Sequence, residues 1–354
     1  MKIRGSFSSI LLLICFLALC IPATLWFTQA ATVPAGPSGY HLINSYKLGG
    51  EGGWDYLTMD SAARRLYISR STHVMVMDAD SGKIVGDVPD TPGVHGIALI
   101  QSLNRGFTSN GRGGNVSAFD LMTLKPDGNV QTGQNPDAII YDPGSNHVFT
   151  MNGGSNDSSA IDPVEMKIAA TIPLEGRPEF AASDAAGHVY VNLEDKAIMV
   201  QIDSEGLRVR RHWPMTGCEE PSGLAIDREH HRLFAGCHNL KMLIMDSNDG
   251  HVVGSVPIGQ GVDANAFDPG TQLAFSSNGD GTLTVVKEES PDKFTVVENV
   301  PTKRGARTMA LDEKTHNVYL VTAEFGTPPE PTAEHPRPRP PMLPDSFVVL
   351  VFGK

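Results

Sequence analysis

Seven positions in this 354-residue chain, each five residues ahead of a recurring strand-ending residue, read Asp55, Gly96, Asp137, Glu179, Ser222, Asp263 and Arg307. Four are acidic, one is basic and none is apolar. Carboxylates gathered around one mouth of a low-dielectric funnel attract a cation or hydrogen-bond a polyol. They also push one another's pKa up. The bland alternative is a solvated rim whose acids cap turns and pair with Arg307. Trp54 and His95 stand one place earlier, where three other repeats carry proline (Pro136, Pro178, Pro221). Trp54 either stacks on a ligand or packs on the next loop. The loops after each second strand add Asn110, Arg112, Asn152, Asn192, Glu194, His238, Asn239, Asn278, Asp280 and Glu324 to the same face. That composition suits a sugar, peptide or metal site and selects none of them. A divalent cation (calcium, magnesium or manganese) would take Glu179, Asp263 and Asn265 as ligands, with Asp137 or His95 as general base. Of the twelve histidines, only His95 and His238 fall on this face. His147, His188, His231 and His316 recur at one turn position on the opposite face and read as turn residues.

The register that aligns these residues comes from a repeat. Tyr67, Phe107, Phe149, Tyr190, Phe234, Phe275 and Tyr319 are spaced by 40, 42, 41, 44, 41 and 44 residues. Six of them follow an aspartate by 6 or 7 residues (Asp60, Asp142, Asp184, Asp227, Asp268, Asp312), and Phe107 follows Gln101 by 6. A period near 40 with strand-like content implies an all-β, seven-bladed β-propeller with four-stranded antiparallel blades. The fifth repeat parses as strands at 221–227, 232–236, 241–246 and 251–258, divided by polar turns. The aspartates that end strands read as turn formers, and the aromatics as wedges between blades. The last repeat lacks a fourth strand, and a spare one, residues 41–48, precedes the first. Pairing it with residues 346–352 closes the ring and removes two sheet edges. Residues 327–344 hold eight prolines and cannot form a central strand. They read as an extended excursion on the face of the channel entrance, either a stiff loop or a docking arm.

Residues 1–30 stand outside the repeat. Lys2 and Arg4 precede an apolar run from Ile10 to Phe27 and small residues near Ala30, as in a secretory signal peptide. The alternative is an uncleaved membrane anchor, and Leu19 weakens a lipoprotein reading of Leu17–Cys20. Residues 31–39 then form a linker and residues 40–354 the propeller. Export removes Cys15 and Cys20 and leaves Cys218 and Cys237, an even count expected to form a disulfide in an oxidising compartment. The same cut leaves 26 basic against 40 acidic residues, which opposes binding to nucleic acid or an anionic membrane. The sequence contains no H-E-x-x-H, G-x-S-x-G, P-loop, haem or dinucleotide motif.

Leu66-Tyr67-Ile68-Ser69, Val189-Tyr190-Val191-Asn192 and Val318-Tyr319-Leu320-Val321, each with its preceding Asp, resemble the repeat of the YVTN-type, YncE-like secreted bacterial propellers. The resemblance covers nearly all of residues 40–354. Most blades depart from the family's tetrad, and the sixth lacks its second Asp, with Lys287 in its place. The resemblance implies a seven-bladed propeller in the bacterial envelope; the protein is expected to be periplasmic or secreted, and a monomer. It implies little about activity, because propellers host binding modules, lactonases, lyases and redox enzymes alike. Two functions are therefore expected: a binding or scaffold module for an envelope protein, sugar or small molecule, or a lactonase-like hydrolase with a divalent cation in the channel. An accessory role to periplasmic redox enzymes rests on family analogy alone.

Overall fold

The computed structural model describes Met1 and residues 36–50, 52–330, 332, 338 and 340–354. The chain divides into two compact units, Met1–Thr32 and Val33–Lys354. Apart from Met1, the expected signal segment, 1–30, lies outside the described residues. Among the described residues, no helix is long and apolar enough to cross a membrane.

The second unit is a propeller of seven four-stranded antiparallel sheets. Blade 5 shows the pattern: Pro221–Asp227, Arg232–Cys237, Lys241–Asp246 and Val252–Pro257 pair in chain order. The strands form because β-branched and aromatic residues fill short runs between turn residues. The aspartates hold the turns as expected. Asp60 accepts hydrogen bonds from the main-chain N–H of Ala62 and Ala63 at 3.1 and 2.8 Å, and Asp227 and Asp268 accept them from Glu229 and Gly270 at 3.0 Å. The residue just ahead of every second strand has a positive φ: Arg64, Asn104, Asn146, Gly187, His231, Gln272 and His316. His231 and His316 thus occupy the turn itself, whereas His147 and His188 open the following strands, a one-residue correction to the shared turn position. In blade 2, where Gln101 replaces the aspartate, the turn tightens into a 3₁₀ segment, Gln101–Leu103. The Gln101 amide donates to Asp60 of blade 1 at 2.8 Å.

The seven repeat aromatics are all at most 2% exposed and bind neighbouring blades together. Tyr67 packs on Phe119 of blade 2 at 5.9 Å. Phe234 stacks on Phe267 of blade 6 at 5.2 Å. Tyr319 donates its hydroxyl to the Ala79 carbonyl of blade 1 at 3.3 Å.

The ring closes as predicted. Blade 7 consists of Met309–Asp312, Asn317–Thr322 and Val348–Gly353, completed on its outer edge by His41–Lys47. The pairing runs antiparallel from His41↔Gly353 to Lys47↔Val348. Between its second and third strands the proline-rich excursion leaves through a clasp: Phe325 bridges Met342, and Gly326 N–H donates to the Pro341 carbonyl at 2.8 Å.

Cys218 and Cys237 form a disulfide with Cα atoms 5.3 Å apart, 19 residues apart in sequence. It ties the loop ahead of blade 5 to the end of that blade's second strand. Replacing both cysteines by serine is expected to destabilise the propeller by about 3 kcal/mol, the loop-closure entropy returned to the unfolded chain. Denaturant unfolding of the oxidised wild type and the double variant measures it; equal midpoints would contradict it.

Candidate functional site

The ring positions owe their aim to a repeated backbone irregularity. In blades 2 to 6 the pairing of first and second strands shifts register directly after the first residue: Val94/Ile97, Pro136/Ile139, Pro178/Ala181, Pro221/Leu224 and Val262/Ala264. A bulge bends its strand and re-aims the side chain there. The second residue of each strand, including His95, Asp137, Glu179 and Asp263, sits at that bend.

Hydroxyl and amide side chains of the second strands fix these bends across blade seams. Ser109 Oγ accepts from Gly96 N–H at 2.9 Å and donates to the Asp137 carbonyl of blade 3. Asn192 accepts from Phe180 N–H at 2.8 Å and donates to the Ser222 carbonyl of blade 5 at 2.5 Å. Ser277 donates to the carbonyls of Ala264 and, in blade 7, Arg307. Blade 5 has Gly236 here, and a Cβ on it would lie 2.6 Å from Val262 and 3.0 Å from Asn265. The Asn265 amide fills that space and donates to the Phe234 carbonyl at 3.1 Å.

The result is a cup of about 150 Å³ lined by Asp55, Tyr56, Asp137, Glu179, Phe180, Asp263, Arg307 and Thr308. Five of the seven expected ring positions meet there. The other two serve the frame. A side chain at Gly96 would collide with Ile139 at 2.8 Å, and Ser222 is buried, its hydroxyl donating to the Asp263 carbonyl at 3.4 Å.

Tyr56 and Phe180 stack on each other at 5.3 Å from blades 1 and 4. Those blades stand across the channel, so the pair forms a floor. Both residues lie one place after a ring position, where the other repeats carry Ile97, Ala138, Gly223, Ala264 and Thr308; two aromatics in that column were the available signal.

His95 Nδ1 lies 2.5 Å from Asp55 Oδ2 and 3.6 Å from Asp137 Oδ1. Arg307 Nε lies 3.5 Å from Asp263 Oδ2. The His95 imidazole and the Arg307 guanidinium face four carboxylates. Burial pushes Glu179 up to about 8, with Asp137, Glu194 and Asp263 adding repulsion against a partial offset from Arg177. Burial raises Asp137 to about 7, opposed by His95 and reinforced by Asp55, Asp263 and Glu194. Asp263 rises to about 6 through burial, tempered by Arg307. For His95, burial pulls downward, but the Asp55 hydrogen bond and the charges of Asp137, Asp55 and Glu179 outweigh it, and its pKa is raised. Burial first, then the surrounding carboxylates, hold the Tyr56 phenol well above its usual value. It acts as a neutral O–H donor.

Several expected site residues lie elsewhere. Trp54 packs against Phe325 and Phe347 at 6.1 and 5.3 Å, on the base of the proline-rich excursion, and is not among the residues lining the cup. Asn265, expected as a metal ligand beside Glu179 and Asp263, is buried and turned to blade 5 as described. His238 contacts Glu220 and the Val262 carbonyl at 3.1 and 3.2 Å, apart from His95. Asn110, Asn152, Asn192 and Asn278 are fully buried and structural. Asn152, for example, donates to Asp157 and Ser159 at 2.6 and 2.9 Å, bracing its own hairpin.

No protein-family model and no curated protein sequence matches the chain. Among solved structures it is similar to hydrazine synthase of Kuenenia stuttgartiensis, with a TM-score of 0.67 and 15% identity over 76% of this chain and 92% of that one. At that identity the likeness shows the propeller fold alone.

Proposed function

We propose that the chain is an exported, YVTN-type binding propeller whose acidic cup receives a ligand's ammonium or guanidinium group. The observation that carries this reading is the convergence of Asp55, Asp137, Glu179 and Asp263, from four separate blades, on one cup. Buried carboxylates that raise one another's pKa are held at a cost, and an entering cation relieves it. The floor suits the same guest, since aromatic faces attract cations. A cup of this volume takes one such group and a short alkyl stem. Export is supported by the basic and apolar start of the sequence and by compatibility with the disulfide.

A second reading, a divalent cation in the cup and with it metal-assisted hydrolysis, is favoured by one observation. Donor atoms of Asp55, His95 and Asp137 all lie within 4.8 Å of one another. The cluster differs from the expected ligands Glu179, Asp263 and Asn265, none of which is in it, and includes both residues expected as the general base, Asp137 and His95.

Thermal unfolding at pH 8 separates the two. 1,4-Diaminobutane dihydrochloride is expected to raise the Tm beyond sodium chloride of equal ionic strength, and 1,4-butanediol is not. A rise with calcium or manganese chloride and none with the diamine would select the metal reading. Equal response to the diol would contradict both.

A further inference from the structure

A second cluster of ionisable groups lies at the seam of blades 5 and 6, at the end of the strands away from the cup. Asp227 ends the first strand of blade 5, His230 sits in the turn that follows, and Glu288 comes from the third strand of blade 6, Thr282–Ser290. The side chains of Asp227 and Glu288 are each 1% exposed, and His230 is 30% exposed. His230 Nδ1 is 2.6 Å from Asp227 Oδ2 and 3.0 Å from Glu288 Oε1.

The ledger of hydrogens does not close. An imidazole Nδ1 carries one hydrogen, and at 2.6 Å it belongs to Asp227. Both Glu288 carboxylate oxygens are buried with no hydrogen-bond partner. The nearest fixed cation does not supply one: Arg232 gives its hydrogens to Asp246, Asp292, Pro291 and the carbonyls of His230 and His231. Lys287 turns to the Thr271 carbonyl at 2.7 Å. A buried carboxylate left this way is costly unless a proton or a cation joins it.

Ligand atoms held about 2.1 Å from a transition-metal ion stand about 3.0–3.4 Å apart. His230 Nδ1 and Glu288 Oε1 already meet that spacing at 3.0 Å, and the 2.6 Å hydrogen bond from Nδ1 to Asp227 Oδ2 opens by about half an ångström as an ion replaces its proton. One imidazole nitrogen with two carboxylates suits zinc or manganese better than calcium, which prefers an all-oxygen shell. The partly exposed His230 marks the way in from solvent. We propose that Asp227, His230 and Glu288 bind one zinc or manganese ion, a clamp across the seam of blades 5 and 6 that is independent of the cup.

The test uses the full chain, stripped with chelator and titrated with zinc chloride or manganese chloride, with bound metal counted after desalting and Tm recorded. The wild type is expected to retain about one equivalent and to gain several degrees in Tm. Glu288→Gln is expected to lose both, weakening binding at least tenfold, whereas the cup variant Asp137→Asn keeps both. Metal-free Glu288→Gln should unfold no lower than metal-free wild type, because a buried charge is gone. If it does not fold, His230→Ala, at a partly exposed position, carries the same test. Absence of retained metal in the wild type overturns the proposal, as does retention in the Glu288 and His230 variants. Loss in Asp137→Asn with retention in Glu288→Gln overturns it too and moves the ion to the cup.

Discussion

A chain that begins at Gly49 is expected not to fold. Its missing strand, His41–Lys47, is the outer edge of blade 7, and without it Val348–Gly353, buried at all six positions, becomes a bare sheet edge. That edge is apolar and uncharged, the kind that pairs with other chains. The truncation also removes Tyr40, 1% exposed, whose ring meets Phe275 edge-on at 5.1 Å and whose hydroxyl donates to the His316 carbonyl at 2.8 Å. Two milder variants grade the effect. Tyr40→Ala should cost about 3–5 kcal/mol, as for other large core truncations. Tyr40→Phe should cost about 1 kcal/mol, the net worth of one hydrogen bond. Solubility and circular dichroism of the truncated chain, with denaturant unfolding of the point variants, measure this. A soluble, cooperatively folded truncation would mean that the ring closes by some other contact.

The double variant Asp137→Asn, Glu179→Gln is expected to be more stable than the wild type at pH 8 and to lose cation binding. Glu179 rises from an ordinary 4.5 to about 8 in the folded chain, and Asp137 from 3.8 to about 7. Between those values the folded state holds more protons than the unfolded state, so stability falls as pH rises. The penalty is absent below about pH 4 and complete above about pH 8. His95, raised by its acidic neighbours, acts in the same direction: its contribution is full below its unfolded value and lost as pH rises through the folded one. The opposite slope comes from Asp142. Burial would raise it, but the hydroxyls of Ser183, Ser204 and Ser145 outweigh that and lower it, so its contribution fades in strong acid. The wild-type Tm is therefore expected to peak near pH 4, at the foot of the cup's penalty, and to fall steadily above about pH 5. The double variant should flatten the alkaline limb by on the order of 2–4 kcal/mol, discounted for solvent reaching the cup. Gaining stability while losing binding is the usual exchange at a site built for function. An unchanged pH profile would mean that the cup is wetter and its carboxylates more ordinary than the geometry implies.

The architecture was legible because it repeats. An aromatic in register every 40 to 44 residues fixes blade number, and counting back from the strand-ending aspartates finds the bulge residues without any coordinates. Asp137, Glu179 and Asp263 reach one cup for that reason, and Asp55 and Arg307, just ahead of the shorter first strands of blades 1 and 7, join them. What the repeat could not show is contact across the channel or across a seam. The Tyr56–Phe180 stack joins blades 1 and 4, and neither residue carries a local sign of facing the other. Asn265 reads as a ligand by its neighbourhood, yet the absent side chain of Gly236, in a different blade, decides where it turns. The Asp227–His230–Glu288 cluster hid behind two correct observations. His230 neighbours a histidine that forms a turn, and the sixth repeat reads as a departure because Lys287 stands in place of its second Asp. That departure accompanies the longest hairpin, Thr282–Ser290 with Lys293–Pro301, which carries Glu288 to the carboxylate of blade 5.

Calorimetric titration of the full chain with 1,4-diaminobutane at pH 8 and at pH 5 decides whether the cup holds a cation. Single-site binding is expected at pH 8. Binding should weaken by at least tenfold at pH 5, where Glu179, Asp137 and Asp263 are protonated, and vanish in the double variant. Binding that is equal at the two pH values, or that survives in the double variant, would contradict it.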